Sequence, residues 1–179
     1  MVRKPLRVRE QSSRTLEQRV ALRFPALTRP AQRLVGSLPP GSRLRQAMVW
    51  RYVQQGIEAY NRRDLDAAAT AFHPQLEYYP YREFVEAGLA EACYRGPAGY
   101  KAYIEATYEV WGDGVRIYPT ELIDMGERLV LLGDMPMRAQ ASGIALAQTY
   151  ATIATLQDGL IIRQRDFLDQ AEALAEAGL

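Results

Sequence analysis

The 179-residue chain is poor in the residues that most often announce a site. It has one cysteine, Cys93, one histidine, His73, and two tryptophans. A single cysteine excludes an intrachain disulfide and the common zinc patterns. Cys93 stands beside Tyr94 and Arg95, and a cation lowers a thiol pKa. No set of His and Asn or Asp partners accompanies it, so a nucleophilic thiol is not indicated. No apolar run approaches the ~20 residues a membrane span needs, and the N-terminus lacks the apolar core of a signal peptide. The expectation is a cytoplasmic protein. Gly-rich phosphate loops, dinucleotide fingerprints and metal boxes are absent too, so neither cofactor nor metal is expected.

What is present favours a packed domain. Hydrophobic residues make up 48% of the chain and charged residues 24%, a balance that supports a core and argues against wholesale disorder. The net charge of +1 hides an asymmetry: residues 1–45 carry eleven Arg or Lys against two Glu, and the remaining 134 carry eleven against nineteen acidic residues. A basic arm on an acidic domain can bind nucleic acid, an anionic membrane surface or the domain itself. The third is favoured. Two units follow, a basic helical extension over residues 1–45 and a domain over 46–179.

Within the arm, residues 1–13 read as a fraying segment. Apolar positions 16, 20, 24, 27, 31, 34, 35 and 38 then keep a helical rhythm that Pro25 and Pro30 interrupt. They predict two short helices, about 14–24 and 29–37, ended by Leu38-Pro39-Pro40-Gly41. Ser42 caps a helix over 43–62, and Asp64 caps a second over 65–72, stopped by His73-Pro74. A strand over 76–79, an aromatic loop over 80–95 and a helix over 97–111 follow. Strands are expected at 115–125, 128–138, 145–157 and 160–168, with Gln157-Asp158-Gly159 as a strong hairpin turn. Asp169 caps a last helix, 170–177, stopped by Gly178.

Five stretches in order, RGPAGYKAYI, ELIDMGERLVLLGD, SGIAL, LQDGLIIR and FLDQAEALAEAGL, together with DLDAAATAFHPQLEYY, resemble the SnoaL-like branch of the nuclear-transport-factor-two-like superfamily. The resemblance covers residues 46–179. It implies an α+β fold, a curved antiparallel sheet with three helices forming a cone-shaped pocket, here preceded by the basic arm. It also implies acid–base chemistry in an apolar site without a metal. Enzymes of this superfamily use a carboxylate whose pKa the pocket has moved, with a second donor, as in ketosteroid isomerase.

Arg165-Asp166-Phe167-Leu168-Asp169 is similar to the RDYFD motif of limonene epoxide hydrolases, which matches Asp166 to their water-activating aspartate. Strand parity puts Asp166 and Gln164 on one face with Leu160, Ile162 and Leu168. The competing expectation is a salt bridge from Asp166 to Arg163 or Arg165. Asp134 corresponds to the second carboxylate of that family, but Leu132 stands where an arginine belongs. Parity with Leu129, Leu131, Met135 and Met137 turns Asp134 and Arg138 to the other face. Both faces are buried if the back of the sheet forms a homodimer, which the two-sided apolar pattern suggests.

His73 could act near neutral pH or cap a helix end. Tyr79, Tyr81 and their neighbours could frame the pocket mouth, with Tyr150 as a donor inside. Gln170 replaces a histidine frequent in this ending. The candidate catalytic residues are thus Asp166 and Asp134, and the candidate ligand contacts His73, Tyr79, Tyr81, Arg138 and Tyr150. Two function classes compete for them: an acid–base enzyme (isomerase, cyclase, dehydratase or hydrolase) acting on an apolar oxygenated small molecule, and a non-catalytic ligand-binding or dimerisation module. A third, an interaction protein led by the basic arm, is less favoured.

Overall fold

A computed structural model describes residues 1–6, 13–111, 115–138, 145–146 and 148–179. Among the described residues, seven helices and a curved, unclosed seven-stranded sheet make a mixed α+β architecture. The elements are β1 (Val2–Pro5), α1 (Leu16–Arg23), α2 (Pro25–Ser37), α3 (Arg43–Asn61), α4 (Leu65–Ala68), β2 (Phe72–Tyr79), α5 (Arg82–Glu86), β3 (Tyr94–Arg95) and α6 (Gly96–Trp111). Then come β4 (Tyr118–Asp124), β5 (Arg128–Asp134), β6 (Met137–Arg138), β7 (Ala145–Leu146), β8 (Thr149–Gln157), β9 (Leu160–Phe167) and α7 (Gln170–Ala177).

The main sheet runs β1-β4-β5-β8-β9-β2-β3, and β6 and β7 pair separately. Every pairing in the main sheet is antiparallel except β2 with β9, which run parallel, so the sheet is mixed rather than purely antiparallel. Among the described residues no helix is long and apolar enough to cross a membrane.

Period-two alternation divides the sheet cleanly. On the inner face, Leu122, Leu129 and Ala154 pack with Val49 and Ile57 of α3 and Val35 of α2. On the outer face, Val130, Leu132, Ala151, Ile153 and Phe167 pack with Ala173 and Ala177 of α7. The two-sided apolar pattern of β5 and β8 therefore has a partner within the chain. Asp169 holds α7 in place by accepting from the amides of Ala171 (2.7 Å) and Glu172 (3.3 Å). Gly178, at φ 82°, closes the helix. The Gln170 side chain donates to the Gly133 and Tyr150 carbonyls, at 2.9 and 3.1 Å, and ties the start of α7 to β5 and β8.

The N-terminal residues depart from the expectation of fraying. Residues 2–5 add β1 to the edge of the sheet along β4, and Leu6 is buried in the inner core. Arg and Lys side chains in an edge strand leave the backbone free to pair while they stay solvated, which makes charge a poor guide here. α1 is set by a capping box between Thr15 and Gln18, and the Gln18 amide then donates to the Gln55 carbonyl of α3 (2.9 Å). α2 starts at Pro25, earlier than expected, and carries Pro30 inside it.

Arg45 fixes α2 against the sheet. Its fully buried guanidinium meets Asp124, equally buried, at 2.8 and 3.0 Å. It also donates to the carbonyls of Val35, Gly36 and Leu38 at the end of α2 and to that of Gly126 in the β4–β5 turn. The division expected after residue 45 falls inside α3. Close backbone contact completes the docking. A Cβ on Gly36 would meet the Gly159 amide at 2.8 Å, and one on Gly159, at φ +76°, would meet the Gln32 carbonyl at 1.9 Å. Only glycine fits either place.

Removing one partner of such a pair strands a buried charge. Arg45→Met is expected to lower unfolding free energy by about 3–5 kcal/mol in a denaturant melt. A loss below about 1 kcal/mol, the scale of a surface pair, would contradict the role given to Arg45.

Candidate functional site

Helices α2, α3 and α6 and the inner face of the sheet line a cavity of about 190 Å3. Its wall is mostly aliphatic and aromatic, with Val53, Ile57, Ile104, Leu131 and Met135 beside tyrosines 60, 78, 81, 100, 103 and 150. That volume holds on the order of a dozen waters or a ligand of similar bulk.

Asp166 reaches this cavity from β9 and is 8% exposed. A register shift in the β8–β9 pairing, between Thr155 and Leu156, sets the face of β9. Beyond it Ile161 lines the cavity with Gln164 and Asp166, in place of the expected Leu160 and Ile162. The carboxylate accepts three hydrogen bonds, all from neutral donors. Tyr78 Oη donates to Oδ2 (2.5 Å), and Thr152 Oγ1 and Gln164 Nε2 donate to Oδ1 (2.7 and 3.2 Å).

The expected salt bridge to a neighbouring arginine is not formed. Arg163 points the opposite way, to Glu77 (2.8 Å), and Arg165 pairs with Glu176 (2.9 Å). Burial therefore dominates and raises the Asp166 pKa above the usual carboxylate range, against the opposing pull of its three donors. The same burial, reinforced by the Asp166 charge, pushes the phenols of Tyr78, Tyr81 and Tyr100 well above their ordinary value and raises those of Tyr103 and Tyr150. These hydroxyls stay protonated and can only donate or share a neutral hydrogen bond.

Two of them are unused. Among the described residues, Tyr103 Oη and Tyr150 Oη are buried without a hydrogen-bond partner. Tyr150 lies over β5 because its register partner is Gly133, where a Cβ would meet the Tyr150 ring at 2.6 Å. Tyr103 stacks at a tilt between Tyr78 and Tyr94, with centroids 5.3 and 5.0 Å away. Both residues line the cavity, and an unpartnered buried hydroxyl is a group that a ligand oxygen would satisfy.

The structure brings Asp166, Tyr81 and Tyr150 to the cavity and leaves other candidates outside it. Asp134 is exposed, because alternation along β5 gives the inner face to Leu129 and Leu131. His73 sits at the start of β2, where Nδ1 accepts from the Gln75 amide (3.1 Å), and it does not line the cavity. Tyr79 faces away from its neighbour Tyr78 and donates to Glu77 (3.2 Å). Arg138 belongs to β6, and its side chain lies outside the described residues. Sequence reasoning misses Thr152, although it stands two residues from Tyr150 on the same strand face. Among the described residues no three His, Cys, Asp or Glu side chains are grouped to hold a metal ion.

Residues 53–164 match the profile of the SnoaL-like domain. The chain belongs to the SnoaL-like family. Among solved structures it is similar to TerC co-crystallised with polyporic acid, at 25% identity and a TM-score of 0.60 over 70% of this chain and 94% of that one. An NTF2-like protein of unknown function from Burkholderia pseudomallei K96243 is also 25% identical, with a TM-score of 0.61 over 70% and 93% of the two chains. A protein of ketosteroid isomerase-like fold from Catenulispora acidiphila DSM 44928, in complex with trimethylamine, is 17% identical, with a TM-score of 0.56 over 72% and 92%. It shares the fold. No curated protein matches the chain.

A raised Asp166 pKa makes stability depend on pH in a defined direction. The folded state binds that proton more tightly than the unfolded chain, so the group's contribution is full below the ordinary carboxylate pKa. It is lost as pH rises through the raised folded value. Asp166→Asn, which cannot ionise, is therefore expected to gain stability over the native chain as pH rises across that interval, by about 1.4 kcal/mol for each pH unit the interval spans. Melting temperatures of both proteins from about pH 4 to 9 test this. A gap that shrinks with rising pH would contradict it.

Proposed function

We propose that this SnoaL-like protein is an acid–base enzyme acting on a small, mostly apolar, oxygenated molecule, with Asp166 as the proton-transferring residue. One observation carries the reading. The Asp166 carboxylate is buried in an apolar cavity, held only by neutral donors, with unpartnered tyrosine hydroxyls on the same wall. A carboxylate without a cation is a stronger base than its exposed counterpart, and a base works best when its pKa approaches the working pH.

Oδ2 accepts one hydrogen bond, from Tyr78, and keeps a lone-pair direction for substrate. In the simplest cycle Asp166 removes a proton from carbon beside a carbonyl. The C–H electron pair moves into an enolate whose oxygen accepts from Tyr150 or Tyr103. Asp166 then returns the proton to another carbon of the conjugated system, and the net result is isomerisation. With water in place of the C–H bond the same base would serve a hydrolase. Tyr78, Thr152 and Gln164 hold the carboxyl in one orientation throughout.

A non-catalytic binding protein is the second reading. It is favoured by the internal donors that already satisfy most of the Asp166 carboxylate. The co-crystallisation of TerC with polyporic acid makes that compound a sensible first ligand to test in either case. A panel of enones, epoxides and small polyketides, followed by absorbance and mass spectrometry, separates the two. For a turned-over substrate, Asp166→Asn is expected to cut kcat by about 100- to 10,000-fold with the fold intact. Tyr150→Phe is expected to cut it less. Undiminished turnover by Asp166→Asn would remove the proposal, and tight binding without turnover would favour the second reading.

A further inference from the structure

The cavity extends well beyond the residues around Asp166. Its far end is lined by α2, which lies ahead of the part of the chain that matches the family profile. There Gln32, Val35 and Gly36 complete the wall with Gly159 of the β8–β9 turn, Leu156 and Val49. Gly159 precedes Asp166 by seven residues of nearly continuous strand, which places the two ends about 20 Å apart along β9. Residues at both ends line the same cavity, which therefore runs along β9.

The lining between the ends is apolar, with Val53, Ile57, Leu129, Leu131, Ala154 and Ile161. Gln32 breaks that pattern. It is only 5% exposed, it lines the cavity, and no described residue hydrogen-bonds its carboxamide. A carboxamide with no protein partner can give a hydrogen bond to a ligand group, or take one from it, in place of water. Its place is fixed, because α2 is clamped by Arg45 at its carbonyl end and by the glycine contact at Gly159.

We propose that Gln32 is a specificity-determining binding residue, and that the cavity takes an elongated apolar molecule. Such a molecule carries one oxygen function at Asp166 and a second hydrogen-bonding group, a hydroxyl or carbonyl, at Gln32. The N-terminal extension is then part of the ligand site: it lines the cavity and reads the end of the ligand remote from Asp166. This rests on reading the cavity as a ligand site, but not on catalysis there.

The test compares binding of 1-dodecanol and 1,12-dodecanediol to the full chain by titration calorimetry. These chains match in apolar length and differ in the second hydroxyl. The native protein is expected to bind the diol about tenfold more tightly, the upper worth of one hydrogen bond. Gln32→Leu is expected to abolish that preference while holding the alcohol within about threefold, since only the polar contact is removed. Gln32→Met, closer in shape, replaces it if the leucine variant melts early.

Equal affinity of the native protein for both chains, a preference that survives loss of Gln32, or no binding of either chain would each overturn the proposal. Asp166→Asn is run alongside. Retained diol preference in that variant, with no turnover of any substrate by the native protein, would fault the catalytic reading and leave this one standing.

Discussion

The buried guanidinium of Arg45 is the constraint on which the rest of the molecule hangs. Its donors are spent on Asp124, on the last carbonyls of α2 and on the β4–β5 turn, so one side chain joins the N-terminal extension, the long α3 helix and the sheet. Helix-end carbonyls have no partners of their own. Supplying them with a charged donor from inside the core sets the position of α2 to within a hydrogen bond. The glycine contact between Gly36 and Gly159 follows from that position. So does the place of Gln32 and Val35 in the cavity wall.

Two buried aspartates in one fold show how different environments give the same group different work. Asp124 faces a guanidinium and has a structural task. Asp166 faces only two hydroxyls and an amide, and the cations that could have neutralised it, Arg163 and Arg165, are turned outward by strand alternation to Glu77 and Glu176. Desolvation without a compensating charge raises a carboxyl pKa. The tyrosines around it stay neutral for the same reason. A base that can take a proton and donors that cannot lose one form a workable pair for enolate chemistry.

Much of this is legible in the sequence, for physical reasons that can be named. The last helix is readable because Asp169 and Gly178 are strong local signals, and motif and parity together point to Asp166. Sequence reasoning favours Tyr79 over Tyr78 although one strand step decides which faces the core, and β2 begins at Phe72, earlier than the expected strand. Likeness to a motif flags Asp134 even though alternation already turns it outward. The register shift in the β8–β9 pairing exchanges Ile161 for Leu160 and Ile162, which no alternation rule anticipates. β1 and the Arg45–Asp124 pair are invisible because they are long-range. Nothing local in a run of arginines says which one will be buried seventy-nine residues from its partner.

The claim that matters most is that Asp166 holds its proton more tightly than an ordinary carboxylic acid. A carbon-13 NMR titration of the aspartate carboxyl resonances, with Asp166→Asn to assign the signal, reads this directly. The expected midpoint lies clearly above the ~3.9 of an unperturbed aspartate. A midpoint at or below that value would mean that the three hydrogen bonds outweigh burial, and Asp166 would be a fixed anion rather than a base.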